Sequence, residues 1–218
     1  MSVAEHGRVL VVLDDAAVAA ALLDASCALA QLMQRELQLV FVESRAALAA
    51  AALPVTRVLA GPGEAWSPFA PQDVERGWQA QAARLRTLAE RASTRRAVAW
   101  SMRVVRGALG ETLLALRRET DMLVVAQAPA RFEAPRRRTR PLIVALDDGQ
   151  PSGREAAKVA ARLAEAIGAR LETRRLATQP EQAARATDAD LVVLPAAALG
   201  ALPPGEPHAP LLLVGAPA

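Results

Sequence analysis

The stretch VLVVLDD, Val9 to Asp15, and its echo LIVALDD, Leu142 to Asp148, decide the fold. Each is a short apolar run that stops on a pair of aspartates and leads into helix-forming sequence. Such a run reads as a strand buried on both faces, as in a parallel sheet. A second echo follows in the same order: DMLVV from Asp121 and DLVVL from Asp190. In both copies a proline 20 residues after that aspartate, Pro141 or Pro210, opens another apolar run. One such match is unremarkable in a chain rich in Ala, Leu and Val; two in the same order argue for duplication.

Around these anchors the chain reads as alternating strands and helices. Strands are expected over 8–13, 37–42, 98–105, 122–126, 142–146, 169–175, 191–194 and 211–214. Helical periodicity covers 16–36, with Val18, Leu22 and Leu29 near one face. It covers 73–93, with Val74, Trp78, Leu85 and Leu88 inward and Asp73 as N-cap. A shorter helix is expected over 111–119 after turns at Gly107 and Gly110, and another over 180–186. Ser152 and Glu155 read as a capping box opening a helix to Ile167, which Gly168 stops. The Ala- and Pro-rich stretch 43–72, with Gly61, Pro62 and Gly63, shows no sustained period. It reads as a surface excursion with one short helix, tucked against the body by Trp66 and Phe69. The strand 142–146 is claimed twice: its proline makes it the last strand of the first copy, its Asp pair the first of the second. The Asp pair and the helix after it favour the opening place, which leaves the first copy without a last strand.

Composition narrows the function classes. Of 218 residues, 52% are hydrophobic and only 3% aromatic, so the core must be built from Ala, Leu and Val. There are 26 basic and 23 acidic residues, a net charge of +3. The sequence pI of about 10.2 overstates this, because Lys158 is the only lysine, Tyr is absent, and Arg keeps its proton. An Arg-rich solvated surface explains the balance better than nucleic-acid binding, which is not expected. Cys27 stands alone and no signal-peptide pattern opens the chain, so a reducing, cytoplasmic setting is expected, with no membrane span.

Taken together, these pieces resemble the universal stress protein family. The matching pieces are Asp14 and Asp147 after the opening strands, Phe41-Val42-Glu43 where the family often has His-Val-Asp, and Gly107 before a helix. The runs from Asp121 and Asp190 and the proline-led strand at Pro210 complete the set. The resemblance covers 8–126 and, more thinly, 141–215. It implies an α/β fold of two tandem parallel sheets, of the adenine nucleotide alpha-hydrolase-like kind, flanked by helices and with the second copy reduced. The domains are then 1–127 and 141–218, with 128–140 as linker. Family membership also implies five strands per sheet and pairing of domains through their last strands.

In the nucleotide-binding branch of that family, the first-strand Asp and second-strand Val lie by the base and ribose. A glycine-rich loop after the fourth strand turns backbone N–H groups toward the phosphates. Here the glycine positions are Ala126 and Pro129, with Thr139 and Arg140 later, and in the second copy Pro195 and Ala198, with His208 and Ala209 later. Proline has no N–H to offer. The resemblance therefore implies a regulatory or stress-response protein that is no enzyme, has no cofactor, and acts through contacts with a protein partner that the sequence does not name. The alternative is a sensor of ATP or AMP using Asp14, Asp15, Val42, Gln127 and Asp147.

Each candidate group also has a structural reading. Asp14 and Asp15 contact adenosine or a metal, or they cap the next helix; for Asp147 and Asp148, Ser152 is the expected cap. Arg131, Arg136, Arg137, Arg138 and Arg140 form either an anion site or a solvated linker. Cys27 reads as a core filler. His6 and His208 have no zinc-like spacing, and no Walker loop, Gly-x-Ser-x-Gly elbow or Ser-Gly-Gly pyrophosphatase loop is present. The two copies either pair inside the chain or leave an exposed edge that drives a homodimer.

Overall fold

In the computed structural model every apolar run marked above enters one sheet. The structure describes residues 7–58, 66–120, 122–126, 139–176, 189–201 and 209–215. In chain order the elements are β1 (Arg8–Leu13), α1 (Ala19–Met33), β2 (Glu36–Ser44), α2 (Arg45–Ala51), β3 (Arg57–Val58), β4 (Ser67–Pro68), α3 (Pro71–Arg96), β5 (Trp100–Gly107), α4 (Leu109–Leu116) and β6 (Met122–Ala126). Then come β7 (Leu142–Asp147), α5 (Pro151–Ile167), β8 (Arg170–Arg175), β9 (Leu191–Pro195), a 3-10 turn over Ala196–Ala201, and β10 (Leu211–Val214).

The eight-stranded sheet has the order β5-β2-β1-β6-β10-β9-β7-β8. The first four strands run parallel to one another, and so do the last four. The two parallel sets meet through a single antiparallel pair, β6 with β10, where Met122 lies opposite Val214 and Val125 opposite Leu211. β1 lies between β2 and β6, and β7 lies between β8 and β9. Strand 142–147 therefore holds the opening place of the second set. Each set has four strands among the described residues, one fewer than the five the resemblance implied, because the run from Leu142 serves the second set and β10 lies where the first set would add its own last strand.

Register keeps both faces apolar across the junction. Val9, Val11 and Leu13 share one face with Val124, Leu212, Val193 and Ala145, beneath α1, α3 and α5. Leu10 and Val12 share the other with Val40, Val42, Val125, Leu213 and Val192, against Leu116 of α4 and Ala196 and Ala198 of the 3-10 turn. Strands with both faces buried need no polar alternation, which is why they read as continuous apolar runs.

Two helices start ahead of their cap-like residues. α3 starts at Pro71, whose ring presets the first helical φ, with Ala70 as the N-cap. Asp73 is the third helical residue and accepts from the Ala70 N–H at 3.0 Å, so it is not itself the N-cap. α5 likewise starts at Pro151 after Gln150, and the Ser152/Glu155 capping box does not form. Ser152 Oγ donates instead to Asp148 at 3.3 Å, and Glu155 accepts from Lys158 at 2.6 Å. Gly168 closes α5 in the left-handed region, as expected. Gly110 lies inside α4 rather than in a turn before it. The excursion after β2 holds α2 and a small hairpin of β3 and β4. Phe69 packs on the core, but Trp66 is 62% exposed and does not tuck in. Gly61, Pro62, Gly63 and the helix expected over 180–186 lie outside the described residues. No described helix is long and apolar enough to cross a membrane.

Candidate functional sites at two opposite sheet edges

In a parallel α/β sheet, ligands bind beyond the carboxyl ends of the strands. Because the two sets of strands run in opposite directions, this sheet has two such edges, one for each set. Asp14 and Asp15 emerge at one, Asp147 and Asp148 at the other. The candidate residues of the two sets of strands therefore do not converge on one site.

At the first edge, Asp14 and Asp15 are half-buried at the end of β1. Asp15 Oδ1 accepts from the Ala17 N–H at 2.7 Å, closing a turn that delivers the chain to α1. Gln81 of α3 reaches across to accept from the Ala16 N–H at 3.1 Å. α1 itself has Val18 as N-cap with no side-chain bond, and the Asp15 bond falls on the residue before it. The Val42 side chain is buried in the second-face core, 2% exposed. Its neighbour Glu43 turns to the other face and accepts from Arg106 of β5 at 3.0 Å. The Arg106 guanidinium lies 5.5 Å from the Trp78 ring centroid. This Glu43–Arg106–Trp78 group was not legible as a cluster, because it needs the register of β2 against β5 and the overhang of α3.

At the second edge the loop after β7 is closed on itself. Asp147 Oδ1 accepts from the Gly149 N–H at 2.9 Å, and Asp148 Oδ1 accepts from the Gln150 N–H at 2.9 Å. Gly149 takes a positive φ of 78°, which glycine adopts without strain. Gly153, in the first turn of α5, leaves room for both carboxylates. A Cβ there would stand 2.5 Å from Asp147 Oδ1 and 2.9 Å from the Asp148 nitrogen. The signal for Gly153 was present as a glycine two residues after a helix-opening proline.

Gln127, Pro129, the arginines at 131, 136, 137 and 138, and both histidines lie outside the described residues. Arg140 is exposed just before β7. Ala126 and Pro195 are buried strand residues, and Ala198 is buried in the 3-10 turn. Cys27 is fully buried, with its Sγ 3.5 Å from Ser93 Oγ of α3. Burial pushes its thiol pKa up, against the lowering effect of the Ser93 bond. Among the described residues, no group of three or more His, Cys, Asp or Glu side chains is placed to hold a metal ion.

No protein-family model matches the chain. No curated protein matches it either. Solved structures do. A protein from the universal stress protein family from Burkholderia pseudomallei is 19% identical, with a TM-score of 0.38, the match covering 79% of this chain and 98% of that one. A universal stress protein in complex with cAMP is 16% identical, with a TM-score of 0.33, covering 78% and 98%. A universal stress protein from Archaeoglobus fulgidus is 8% identical, with a TM-score of 0.44, covering 97% and 99%.

Proposed function

We propose that this chain is a non-enzymatic regulatory protein of the universal stress protein type, acting through contacts with other proteins and without the family's usual phosphate loop. The observation that carries the reading is the closure of the aspartate turns. Asp15, Asp147 and Asp148 each give an oxygen to a backbone N–H of their own turn. A carboxylate held this way has one oxygen committed to ordering its own loop. Two further features support it: the Val42 side chain lies in the core, and Ala126, Pro195 and Ala198 stand at glycine positions of the family's loop. The competing reading is a sensor of ATP or AMP using Asp14, Val42 and a non-standard anion site.

Native mass spectrometry of the full chain as purified separates the two. The regulatory reading expects the bare polypeptide mass, together with a partner recovered by in-cell cross-linking through the face of the chain that bears α2 and the β3–β4 hairpin. A co-purifying adenine nucleotide, lost on Asp14→Ala, overturns it.

A further inference from the structure

The sheet ends in β5 on one side and β8 on the other, and no described strand pairs with the outer edge of either. The two edges differ in chemistry. β8 reads RLETRR, with charges at Arg170, Glu172, Arg174 and Arg175, a composition that resists the addition of another strand. The stretch through β5 reads VAWSMRVVR from Val98 to Arg106. Its two arginines are neutralised within the chain: Arg103 by Glu119 at 2.8 Å, Arg106 by Glu43 at 3.0 Å. What remains along one face is apolar, with Trp100 and Met102 half-buried and Val104 42% exposed.

The backbone is turned to match. The Ala99 carbonyl accepts from the Leu37 N–H of β2 at 2.9 Å. Backbone groups alternate sides along an extended strand, so Ala99, Ser101, Arg103 and Val105 bond toward β2. Trp100, Met102, Val104 and Arg106 therefore direct their N–H and C=O groups outward, away from the sheet. An edge of this kind is a template for another strand.

We propose that β5 pairs antiparallel with β5 of a second copy of the chain, about a twofold axis at Met102. In that register Trp100 lies opposite Val104 of the partner subunit, Met102 opposite Met102 of the partner subunit, and Ser101 opposite Arg103 of the partner subunit. Ala99 lies opposite Val105 of the partner subunit. Trp100, Met102 and Val104 meet apolar groups across the axis on one face, Arg106 lies opposite Val98 of the partner subunit at its ends, and no two charges of like sign are opposed. Moving the axis to Arg103 sets that arginine against its own copy. Moving it to Val104 sets Met102 against an arginine. A twofold pair needs a self-complementary surface; an axis at Ser101 carries the pairing back onto Arg96 at the end of α3, whereas the Met102 register keeps Trp100, Met102 and Val104 paired within β5. The interface uses neither aspartate edge, so it stands apart from the functional reading above.

The test is the mass of the full chain in solution by light scattering, with two variants. Val104→Pro removes an outward N–H and no bond to β2, and proline is accepted on sheet edges. Met102→Cys places a thiol on the axis, where paired Cα atoms ~5.5 Å apart can form a disulfide. Cys27 is fully buried and does not compete. The inference expects the parent chain at twice its 23.0 kDa mass, Val104→Pro at the single mass with unchanged circular dichroism, and Met102→Cys oxidising to a covalent dimer and no further. A monomeric parent chain at all concentrations, a Val104→Pro chain that stays dimeric, or a Met102→Cys chain that does not cross-link each overturns it.

Discussion

Replacing Gly153 with Ala sets two physical effects against each other with opposite signs. Gly153 has helical backbone angles in the first turn of α5, so on propensity alone alanine should stabilise the protein by ~1 kcal/mol. Its surroundings say otherwise. The new methyl carbon would stand 2.5 Å from Asp147 Oδ1 and 2.9 Å from the backbone nitrogen of Asp148, and would also meet Asp148 Oδ1. Inserting a methyl group into such a site costs ~1–3 kcal/mol. If the carboxylates swing away, the bonds to the Gly149 and Gln150 N–H groups are lost, at ~1 kcal/mol each. After the ~1 kcal/mol of helix propensity is set against this cost, the net expectation is destabilisation by ~1 kcal/mol. Urea unfolding followed by circular dichroism reads this as a lower midpoint with an unchanged slope. A Gly153→Ala chain as stable as the parent, or more so, refutes the reasoning. The mechanism has its own signature: in an Asp148→Ala background the same change should cost less, because one of the two obstructing carboxylates is gone.

Two other outcomes follow from the same packing. Leu212 is fully buried in β10 beside the antiparallel junction, so Leu212→Ala should lower stability by ~3 kcal/mol in the same urea assay. Cys27 should react with a thiol reagent only at the rate of unfolding, because its side chain is fully buried in the α1–α3 contact. Its raised pKa also fixes the sign of a pH effect. The thiol is neutral in both states below the ordinary cysteine range, so its contribution is fully present there. Above that range the unfolded chain ionises first, so stability should fall as pH rises toward the folded value. Cys27→Ser should remove that slope in unfolding titrations.

Much of the fold was legible because its strands are continuous apolar runs. β1, β6 and β10 fall where the sequence places them, since nothing in VLVVL or LLLV competes with a buried strand. The proline-led helices start ahead of the cap-like Asp73 and Ser152, because Pro71 and Pro151 preset the helix two residues and one residue earlier. Trp66 stands 62% exposed, while Phe69 three residues later packs on the core. The opposed directions of the two aspartate edges could not be read at all. They depend on Met122 meeting Val214 in antiparallel register, a long-range choice that no local pattern encodes. The same holds for Glu43, Arg106 and Trp78, which come from β2, β5 and α3 and meet only in the folded chain.

The central claim is that the aspartate turns order their own loops and serve no nucleotide. Isothermal titration of the full chain with ATP, AMP and cyclic dinucleotides tests it most directly. The account predicts no saturable heat with any of them, and the same silence after Asp14→Ala and Asp147→Ala. Saturable micromolar binding of one nucleotide, abolished by either substitution, would contradict it.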